Sequence, residues 1–516
     1  MKKSLLSAAI AATLASLGTT AQAGLLDGAT QAWTYQHSGA NSYLSEILSF
    51  DAARNELWVS GVSGIDILNA TSGTLVQRLD ISAFGSVNSV SIHGGVAALA
   101  IENKTNRELP GLVQTYNTAT RSLTGSYTVG ALPDMLTFTK DGSKILVANE
   151  ATPNNVSMAG ISAANSHYGT LTSAAGVFPR TYGTNALDPA GSVSIINLGT
   201  GVVTTSGNLN TALRTGSNLR TNTGMDFEPE YIAVNAAGTK AYVTLQEANG
   251  MGVLDIATGQ FDKVTGLGAK DFSAAGNRID PKNDGSIGLT SVNAKGLYMP
   301  DGIASYEHNG QTFLVMANEG DFREDDADRV TAATVNPALS GTLMSNLRVS
   351  AADSTPGSLF TAGARSFSIR DVDGNLVYDS GEILDREAIA LGIYDDGRSR
   401  DKGVEPEGIE IMEINGRTIA FVGLERTTKA AVAAFDITDP TQVSFLRMLV
   451  AEGSVSPEGL KGFRIGNEYY LGLSNEVTNT TTAFHLTTAV PEPESYALVL
   501  AGLAALGAFA RRRQAH

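Results

Sequence analysis

The chain has 516 residues, a formal net charge of −16 and no cysteine. Nucleic acid is a poor match for so acidic a chain, because phosphate contacts need clustered Lys and Arg, and the lack of cysteine excludes disulfides, thiolate metal sites and a cysteine nucleophile. With 42% hydrophobic and 17% charged residues the chain can build a packed core, which excludes wholesale disorder, and its 55 glycines argue against a helical bundle.

The N-terminus has the three parts of a secretory signal. Lys2 and Lys3 precede an apolar run at residues 5–17, and Ala21 and Ala23 form an Ala-x-Ala cleavage site. We expect signal peptidase to cut after Ala23, so residues 1–23 are predicted to be a signal peptide. The alternative, a buried N-terminal helix, leaves the order of the three parts unexplained.

Five segments share one pattern, in which a proline followed by a carboxylate precedes a second carboxylate 16–18 residues further on. The pairs are Asp134 with Glu150, Glu230 with Glu247, Asp301 with Glu319, Glu407 with Glu425, and Glu458 with Glu476. Apolar residues alternate between the two carboxylates around a turn such as Asn415-Gly416, and this combination is a strong hairpin signal. Each segment is therefore predicted to hold at least two antiparallel strands, A and B.

Two weaker copies precede these five, which gives seven units. The units start near residues 46, 89, 134, 230, 301, 407 and 458. The shorter steps match the ~40–50 residues of a four-stranded propeller blade, and the longer ones are blades with insertions. The sequence therefore predicts an all-β, seven-bladed β-propeller over residues 24–489, with residues 32–37 completing the last blade. A pair of β-sandwiches is the competing architecture, but it does not explain the period.

The carboxylates are predicted to meet at one mouth of the propeller channel. The first of each pair is expected just before strand A and the second at the end of strand B, so both lie at the same edge of the sheet. The long insertions, at residues 151–191, 265–299, 320–363 and 382–405, are expected on that face, where loops usually carry function. All ten carboxylates are candidate ligand-binding residues.

Two interpretations of this acidic mouth remain open. A like-charged pair at ~4 Å costs on the order of 4 kcal/mol at an effective dielectric near 20, so basic side chains, backbone N–H groups, protonation or a bound cation must compensate. The basic residues near the acids in sequence are Arg323, Arg329, Arg398, Arg400, Lys402 and Arg426. Calcium suits an all-oxygen site, and the candidate metal ligands are Asp301, Glu319, Glu407 and Glu425. Alternatively, a residue repeated in every blade has a structural role, for example to accept loop N–H groups.

Other acidic motifs have simpler interpretations. The stretch from Asp371 through Asp373 and Asn375 resembles an EF-hand loop, but Leu376 stands where that loop needs glycine, so a hairpin turn at Asp373-Gly374 is favoured. The acidic runs at 280–285 and 324–328 are interpreted as solvated loops. The sequence holds no nucleophile elbow or P-loop, and no catalytic residue is nominated.

The C-terminus closely resembles the PEP-CTERM sorting signal of Gram-negative bacteria. Pro491, Glu492 and Pro493 are followed by an apolar segment at 496–510, shorter than the ~20 residues that span a bilayer comfortably. Three arginines follow this segment: Arg511, Arg512 and Arg513. The resemblance implies processing of residues 490–516, including the short membrane segment, by an exosortase. An ordinary C-terminal anchor helix is the alternative.

Motifs in the middle of the chain are similar to the choice-of-anchor I domain. They are Pro-Asp-Gly at 300–302, Ala-Asn-Glu-Gly-Asp at 317–321, Arg-Ser-Phe-Ser-Ile at 365–369, and the run from Arg398 to Gly408. The resemblance implies a propeller-like surface domain and supplies no catalytic residues.

The expected function is that of an exported, exosortase-processed binding module. We expect it on the cell surface or in the extracellular matrix of a Gram-negative bacterium, where a surface polymer or a small molecule is its ligand. The alternative is a calcium-dependent hydrolase, similar to the propeller phytases, in which ions on the acidic face bridge a phosphate and activate water.

Overall fold

Alternating apolar residues and tight turns fold most of the described chain into short strands. The computed structural model describes residues 24–38, 43–152, 189–220, 227–322 and 329–486. Gln31–Phe484 forms one compact unit, and the described residues at the two ends belong to a second. In that second unit the backbone N–H of Asp27 donates to the carbonyl of Gly24.

The predicted processing signals lie outside the described residues. This holds for residues 1–23 with Ala21 and Ala23, and for the tail with its Pro-Glu-Pro motif and arginines. Within the described ranges, no helix is long and apolar enough to span a bilayer. The run at 324–328 is also outside the described residues.

Strand β1 (Thr30–Gln36) is followed by three sheets, each built from four consecutive antiparallel strands. The first sheet contains β2 (Leu48–Asp51), β3 (Glu56–Gly61), β4 (Gly64–Asn69) and β5 (Leu75–Asp80). The second contains β6 (Val87–His93), β7 (Val96–Ile101), β8 (Pro110–Asn117) and β9 (Leu123–Ala131). The third contains β10 (Pro133–Phe138), β11 (Lys144–Asn149), β12 (Ser192–Asn197) and β13 (Val203–Thr205).

The fourth sheet has a fifth strand that the sequence did not predict. A 3-10 turn at Leu209–Thr211 leads into the sheet, whose strands are β14 (Leu213–Ser217), β15 (Pro229–Val234), β16 (Lys240–Leu245), β17 (Gly250–Asp255) and β18 (Gln260–Leu267). β14 pairs in parallel with β18. Its residues are exposed and lack apolar alternation, which explains why no strand was expected there.

The fifth sheet carries the largest insertions. It contains β21 (Ile303–His308), β22 (Gln311–Asn318), β26 (Ser366–Asp371) and β27 (Leu376–Asp379). The insertions before and within it form two small sheets: β19 (Ala269–Asp271), β20 (Lys295–Leu297) and β25 (Phe360–Thr361) in one, β23 (Arg329–Thr331) and β24 (Arg348–Ser350) in the other. Helix α1 (Ala332–Val335) and a 3-10 turn (Pro337–Leu339) lie between β23 and β24.

Helix α2 (Ile383–Ala390) and a 3-10 turn (Asp396–Arg398) precede the last two sheets. The sixth sheet contains β28 (Pro406–Ile414), β29 (Arg417–Leu424), β30 (Ala430–Asp436) and β31 (Ser444–Ala451). The seventh contains β32 (Pro457–Ile465), β33 (Glu468–Asn475), β34 (Thr480–Leu486) and, beside β34, the N-terminal strand β1. The prediction that residues 32–37 complete this sheet is confirmed.

The seven sheets follow one another in a cyclic order. The first strands contact each other in sequence, from β2 through β6, β10, β15, β21, β28 and β32, and β32 contacts β2. Apolar layers fill the space between adjacent sheets: Trp58 packs in one cluster with Leu99, and Leu48 packs in another with Phe463. The predicted all-β class is confirmed, and each predicted unit begins within two residues of a first strand.

The predicted hairpin at Asp373-Gly374 is also confirmed. It joins β26 to β27, and the carboxylate of Asp371 accepts hydrogen bonds of 2.9 Å from the N–H groups of Asp373 and Asn375. This carboxylate stabilises the turn, as an Asx turn does.

The prediction of a solvated loop at 280–285 holds for residues 283–285 and is wrong for Asp280. Asp280 is only 1% exposed, and its carboxylate accepts hydrogen bonds from Ser399 Oγ at 3.1 Å and from Gly288 N at 3.3 Å. The folded insertion at 380–405 covers this residue, so the first position of the run at 280–285 is a buried anchor, not a solvated loop.

Candidate functional site

All ten predicted carboxylates line one cavity of about 720 Å³. Those residues are Asp134, Glu150, Glu230, Glu247, Asp301, Glu319, Glu407, Glu425, Glu458 and Glu476. Glu46 and Asn88, at the corresponding positions of the two weaker repeats, line it as well. Five repeats of two acids, spread over more than 300 residues, thus contribute to a single acidic cavity.

A β-bulge positions most of the first carboxylates. The strand register shifts between Pro133 and Leu136, and the same shift occurs at the start of β15, β28 and β32. Asp134, Glu230, Glu407 and Glu458 therefore lie within the first strand, not just before it as predicted; Asp301 alone precedes its strand. Bulges re-aim side chains, which accounts for the shared direction of these carboxylates.

The second carboxylates are held through their backbone. The N–H of Glu150 donates to the carbonyl of Leu132 at 2.9 Å, and Glu425 and Glu476 make the same bond to residues 405 and 456. All three accepting residues have positive φ, between 42° and 59°, a conformation that is uncommon outside glycine and that concentrates at functional sites. These bonds leave the carboxylates of Glu425 and Glu476 available to the cavity.

Backbone amides do not account for the acidic side chains. Glu247 accepts a hydrogen bond from its own backbone N–H. Apart from Glu150, no other repeat carboxylate of the cavity accepts from a backbone N–H among the hydrogen bonds described. Side chains outside the strands do engage some of these acids: Ser456 Oγ donates to Glu425 Oε1 at 3.3 Å and Gln246 Nε2 donates to Glu319 Oε2 at 2.7 Å, which supports a structural role for part of the set.

A buried lysine supplies part of the missing positive charge. Lys402 is 3% exposed, and its Nζ lies 2.6 Å from Glu319 Oε1, 2.9 Å from Glu405 Oε2 and 3.4 Å from Asp321 Oδ2. Burial opposes its charge, but these three acids raise the pKa of Lys402 well above its ordinary value. Gln246 Nε2 donates to the other oxygen of Glu319 at 2.7 Å, so both oxygens of that residue have a partner.

Arginines compensate the acids beside Lys402. Arg398 Nε lies 2.5 Å from Glu405 Oε1, and Arg426 Nη2 lies 2.7 Å from Glu425 Oε1. Arg329 Nη2 lies 2.7 Å from Asp321 Oδ1. The positive side chains described at the cavity wall therefore lie on one side of it, which is formed by the fifth and sixth sheets and their insertions.

Asp301 and Glu407 form the least compensated contact of that side. Their carboxyls lie close enough to hydrogen bond to each other, which requires a proton between them. Burial raises the pKa of Asp301 to about 7, and burial with Glu319 and Glu458 nearby raises that of Glu407 well above its ordinary value. Glu407 is 8% exposed, and no donor among the described residues reaches its Oε2.

Three groups of acids offer ligand atoms within 4.8 Å of one another. They are Asp301 with Glu319 and Glu407, Glu319 with Glu405 and Glu425, and Glu425 with Glu458 and Glu476. The first group holds three of the four predicted metal ligands, and Glu425 belongs to the other two. A proton or a cation is the group that such a contact requires.

Other carboxyl groups of the cavity wall also have raised pKa values. Burial, followed by the charge of Glu150, raises the pKa of Asp134 and Glu230 well above their ordinary values. Burial also raises the pKa of Glu46 and Glu425 to about 8. At neutral pH, therefore, part of the cavity is protonated unless a cation enters.

The cavity continues towards a second one of about 620 Å³. First strands of all seven sheets line this second cavity, and it shares Ile47, Met135, Tyr231 and Glu458 with the acidic one. Tyr231 lies where the two meet, so the acids stand at one end of a passage between the first strands.

Sequence reasoning missed several residues of the site. Glu228 and Asp321 line the cavity, Gln246 binds Glu319, and Glu405 joins a potential cation group. The doubled acids in Glu-Pro-Glu at 228–230 and 405–407 were a usable signal. Four basic residues expected near the acids do contact acids of the site: Arg329, Arg398, Lys402 and Arg426.

Two family profiles match the chain. The choice-of-anchor I domain matches residues 46–440, and the PEP-CTERM protein-sorting motif matches residues 489–514. No curated protein matches the chain.

Solved structures resemble the chain in fold only. "Kuenenia stuttgartiensis Hydrazine Synthase" is 9% identical with a TM-score of 0.50, over 88% of this chain and 98% of that one. "Crystal Structure of Mitotic Checkpoint Complex" is 10% identical with a TM-score of 0.47, over 89% and 92% of the two chains.

Proposed function

The chain belongs to the choice-of-anchor I family, and we propose that its seven sheets form a seven-bladed β-propeller that acts as a binding module on the cell surface. The cyclic contacts of the first strands and the apolar layers between adjacent sheets support the propeller. Strand β1 in the last sheet supports it too, because it pairs with β34 and so completes the seventh sheet with a strand from before the first sheet.

The sorting motif defines where the module works. A PEP-CTERM motif implies processing by an exosortase during export, and the chain is an exported cell-surface protein of a Gram-negative bacterium. We place the cut by signal peptidase after Ala23 and the processed tail at 490–516. A surface polymer or a small molecule outside the cell is then the partner to look for.

The acidic cavity is the proposed binding site, and the convergence of ten repeat carboxylates on it is the observation that carries the proposal. Calcium is the proposed ligand, held by Asp301, Glu319, Glu407 and Glu425. The donors fit it, because they are all oxygen and because Glu407 Oε2 is buried without a donor. Lys402 and Gln246 already engage Glu319, so Asp301 and Glu407 would be the principal ligands.

A calcium-dependent phosphoesterase is the second candidate. The observation that favours it is the sharing of Glu319 and Glu425 between adjacent acid groups, which would allow neighbouring ions to bridge one phosphate. No catalytic residue is assigned.

One screen separates the two candidates. The exported protein is incubated with phosphomonoesters and phosphodiesters in calcium, and in parallel with chelator. A binding module takes up calcium and turns over none of them. Turnover that stops with chelator and in the Glu407→Gln, Glu425→Gln double variant would establish the hydrolase and contradict the binding module.

A further inference from the structure

A separate cleft, of about 770 Å³, shares no lining residue with the acidic cavity. It lies between the edge strand β14, the small sheet that contains β20 and β25, and the hairpin from β26 to β27. Its floor and rim carry three positive side chains, from Lys263, Lys295 and Arg370, in a chain whose net charge is −16.

Arg370 is the central group of this cleft. It is 2% exposed, its guanidinium lies 4.3 Å from the centre of the Tyr298 ring, and its Nη1 donates to the carbonyl of Gly374 at 2.7 Å. Its Nε and Nη2 have no hydrogen-bond partner among the described residues. A guanidinium held over a ring with two donors left over is suited to a planar, two-oxygen acceptor such as a carboxylate.

The acids of the cleft are already bonded. Asp373 Oδ1 lies 2.6 Å from Lys263 Nζ at the exposed rim. Asp271 Oδ1 accepts from the backbone N–H of Ser273 at 2.9 Å and from its hydroxyl at 2.7 Å. Neither supplies the acceptor that Arg370 lacks.

The remaining wall offers groups for a hydroxylated ligand. Thr215, Ser217 and Asn218 line it from the exposed strand β14 and the residue after it. Phe360 presents a half-buried ring, with Lys295 Nζ 5.7 Å from its centre.

We propose that this cleft binds a uronic acid unit of a surface polysaccharide, with the sugar carboxylate on Arg370 and between Lys263 and Lys295. The hydroxyls of the sugar then face Thr215, Ser217 and Asn218, and its apolar face lies on Phe360. The exported location gives the cleft access to such polymers. This site is independent of the acidic cavity and of the proposed calcium binding.

Calorimetric titration of the exported protein with trigalacturonate tests the proposal, with neutral galactotriose and inorganic sulfate as the other probes. Trigalacturonate is expected to bind, and galactotriose and sulfate at least tenfold more weakly. Equal binding of galactotriose would overturn the role of charge, and equal binding of sulfate would overturn the assignment to a carboxylated sugar.

Variants locate the binding. Lys263→Gln with Lys295→Gln is expected to weaken trigalacturonate binding at least tenfold. Lys140→Gln with Lys429→Gln removes the same charge outside the cleft, and trigalacturonate binding is expected to stay unchanged. Arg370→Lys keeps the charge and loses the two-donor fork, so binding is expected to fall. Equal affinity in the cleft and control pairs would overturn the proposal, whether or not the Arg370 variant folds.

Discussion

Lys402 Nζ lies 2.6 Å from Glu319 Oε1 inside the wall of the acidic cavity, and both side chains are almost fully buried. The chain thus provides a buried cation of its own, beside Arg329 and Arg426, to a site that gathers more than ten acids. Lys402 reaches the cavity from the insertion between the fifth and sixth sheets, so that insertion is part of the site.

Substitution of Lys402 by methionine is expected to destabilise the protein by about 3–5 kcal/mol, because it leaves Glu319, Asp321 and Glu405 without their shared partner in a buried setting. Equilibrium unfolding in urea measures the loss. Lys429→Met is the control, since Lys429 pairs with Glu452 at the exposed surface and its loss is expected to cost less than about 1 kcal/mol. Equal losses in the two variants would contradict the role given to Lys402.

His37 is expected to secure the N-terminal strand. Its Nδ1 lies 2.7 Å from Asp66 Oδ2 of the first sheet, and its Nε2 lies 2.7 Å from Thr481 Oγ1 of the seventh. His37→Phe removes both buried bonds and is expected to cost about 1–3 kcal/mol in urea unfolding. His308→Phe, at a less buried hairpin end, serves as the control, and a His37 variant as stable as this control would refute the assignment.

Stability in chelator is expected to fall as the pH rises from 5.5 to 8.5. Burial raises the folded-state pKa of Asp301 to about 7 and of Glu425 to about 8, so the folded state binds more protons than the unfolded state in this range. The stability that these protons supply is complete below pH ~4 and is lost as the pH passes the folded pKa values.

The melting temperature across this range measures the effect. The Glu407→Gln, Glu425→Gln double variant is expected to show a shallower decline than the parent protein, whereas Glu413→Gln, an exposed change on the same strand as Glu407, is expected to match it. Parallel declines in all three proteins would show that the cavity acids do not cause the pH dependence of the melting temperature.

Deletion of Pro491–Pro493 is expected to prevent processing of the tail, because the exosortase would lose its recognition motif. Intact mass spectrometry and cell fractionation measure the processing and the location of the variant. The deletion variant is expected to retain residues 494–516. Glu494→Gln leaves the motif whole and is the control. Unchanged processing and location after the deletion would contradict the reading of this tail.

Repetition is what made the site predictable. Asp134 lies at the start of β10 and Glu150 directly after its antiparallel neighbour β11, and four further pairs repeat the relation at similar spacing, so topology brings them to one edge. The bulge places Asp134 inside its strand, and not before it. A bulge depends on the pairing register of the two strands, which the alternation of apolar residues does not specify closely.

The burial of residues outside the repeat was not predicted from the sequence. Lys402 was expected near the acids and Asp280 in a solvated loop, but both lie in insertions that occur once, and their burial depends on long-range packing. The edge strand β14 was missed because its exposed residues have no apolar periodicity. Such positions follow from the tertiary structure and leave little trace in local sequence.

Calcium-dependent thermal unfolding tests the central claim most directly. Calcium that binds only the folded state stabilises it by RT ln(1 + [L]/Kd), about 2.7 kcal/mol at a hundredfold excess over Kd. The melting temperature of the parent protein and of Glu413→Gln is predicted to rise with calcium and drop with chelator. The Glu407→Gln, Glu425→Gln variant is predicted to fold and to lose that response. A melting temperature indifferent to calcium from micromolar to millimolar would contradict the cation site, and a double variant that unfolds outright would assign these acids to the structure of the sheets.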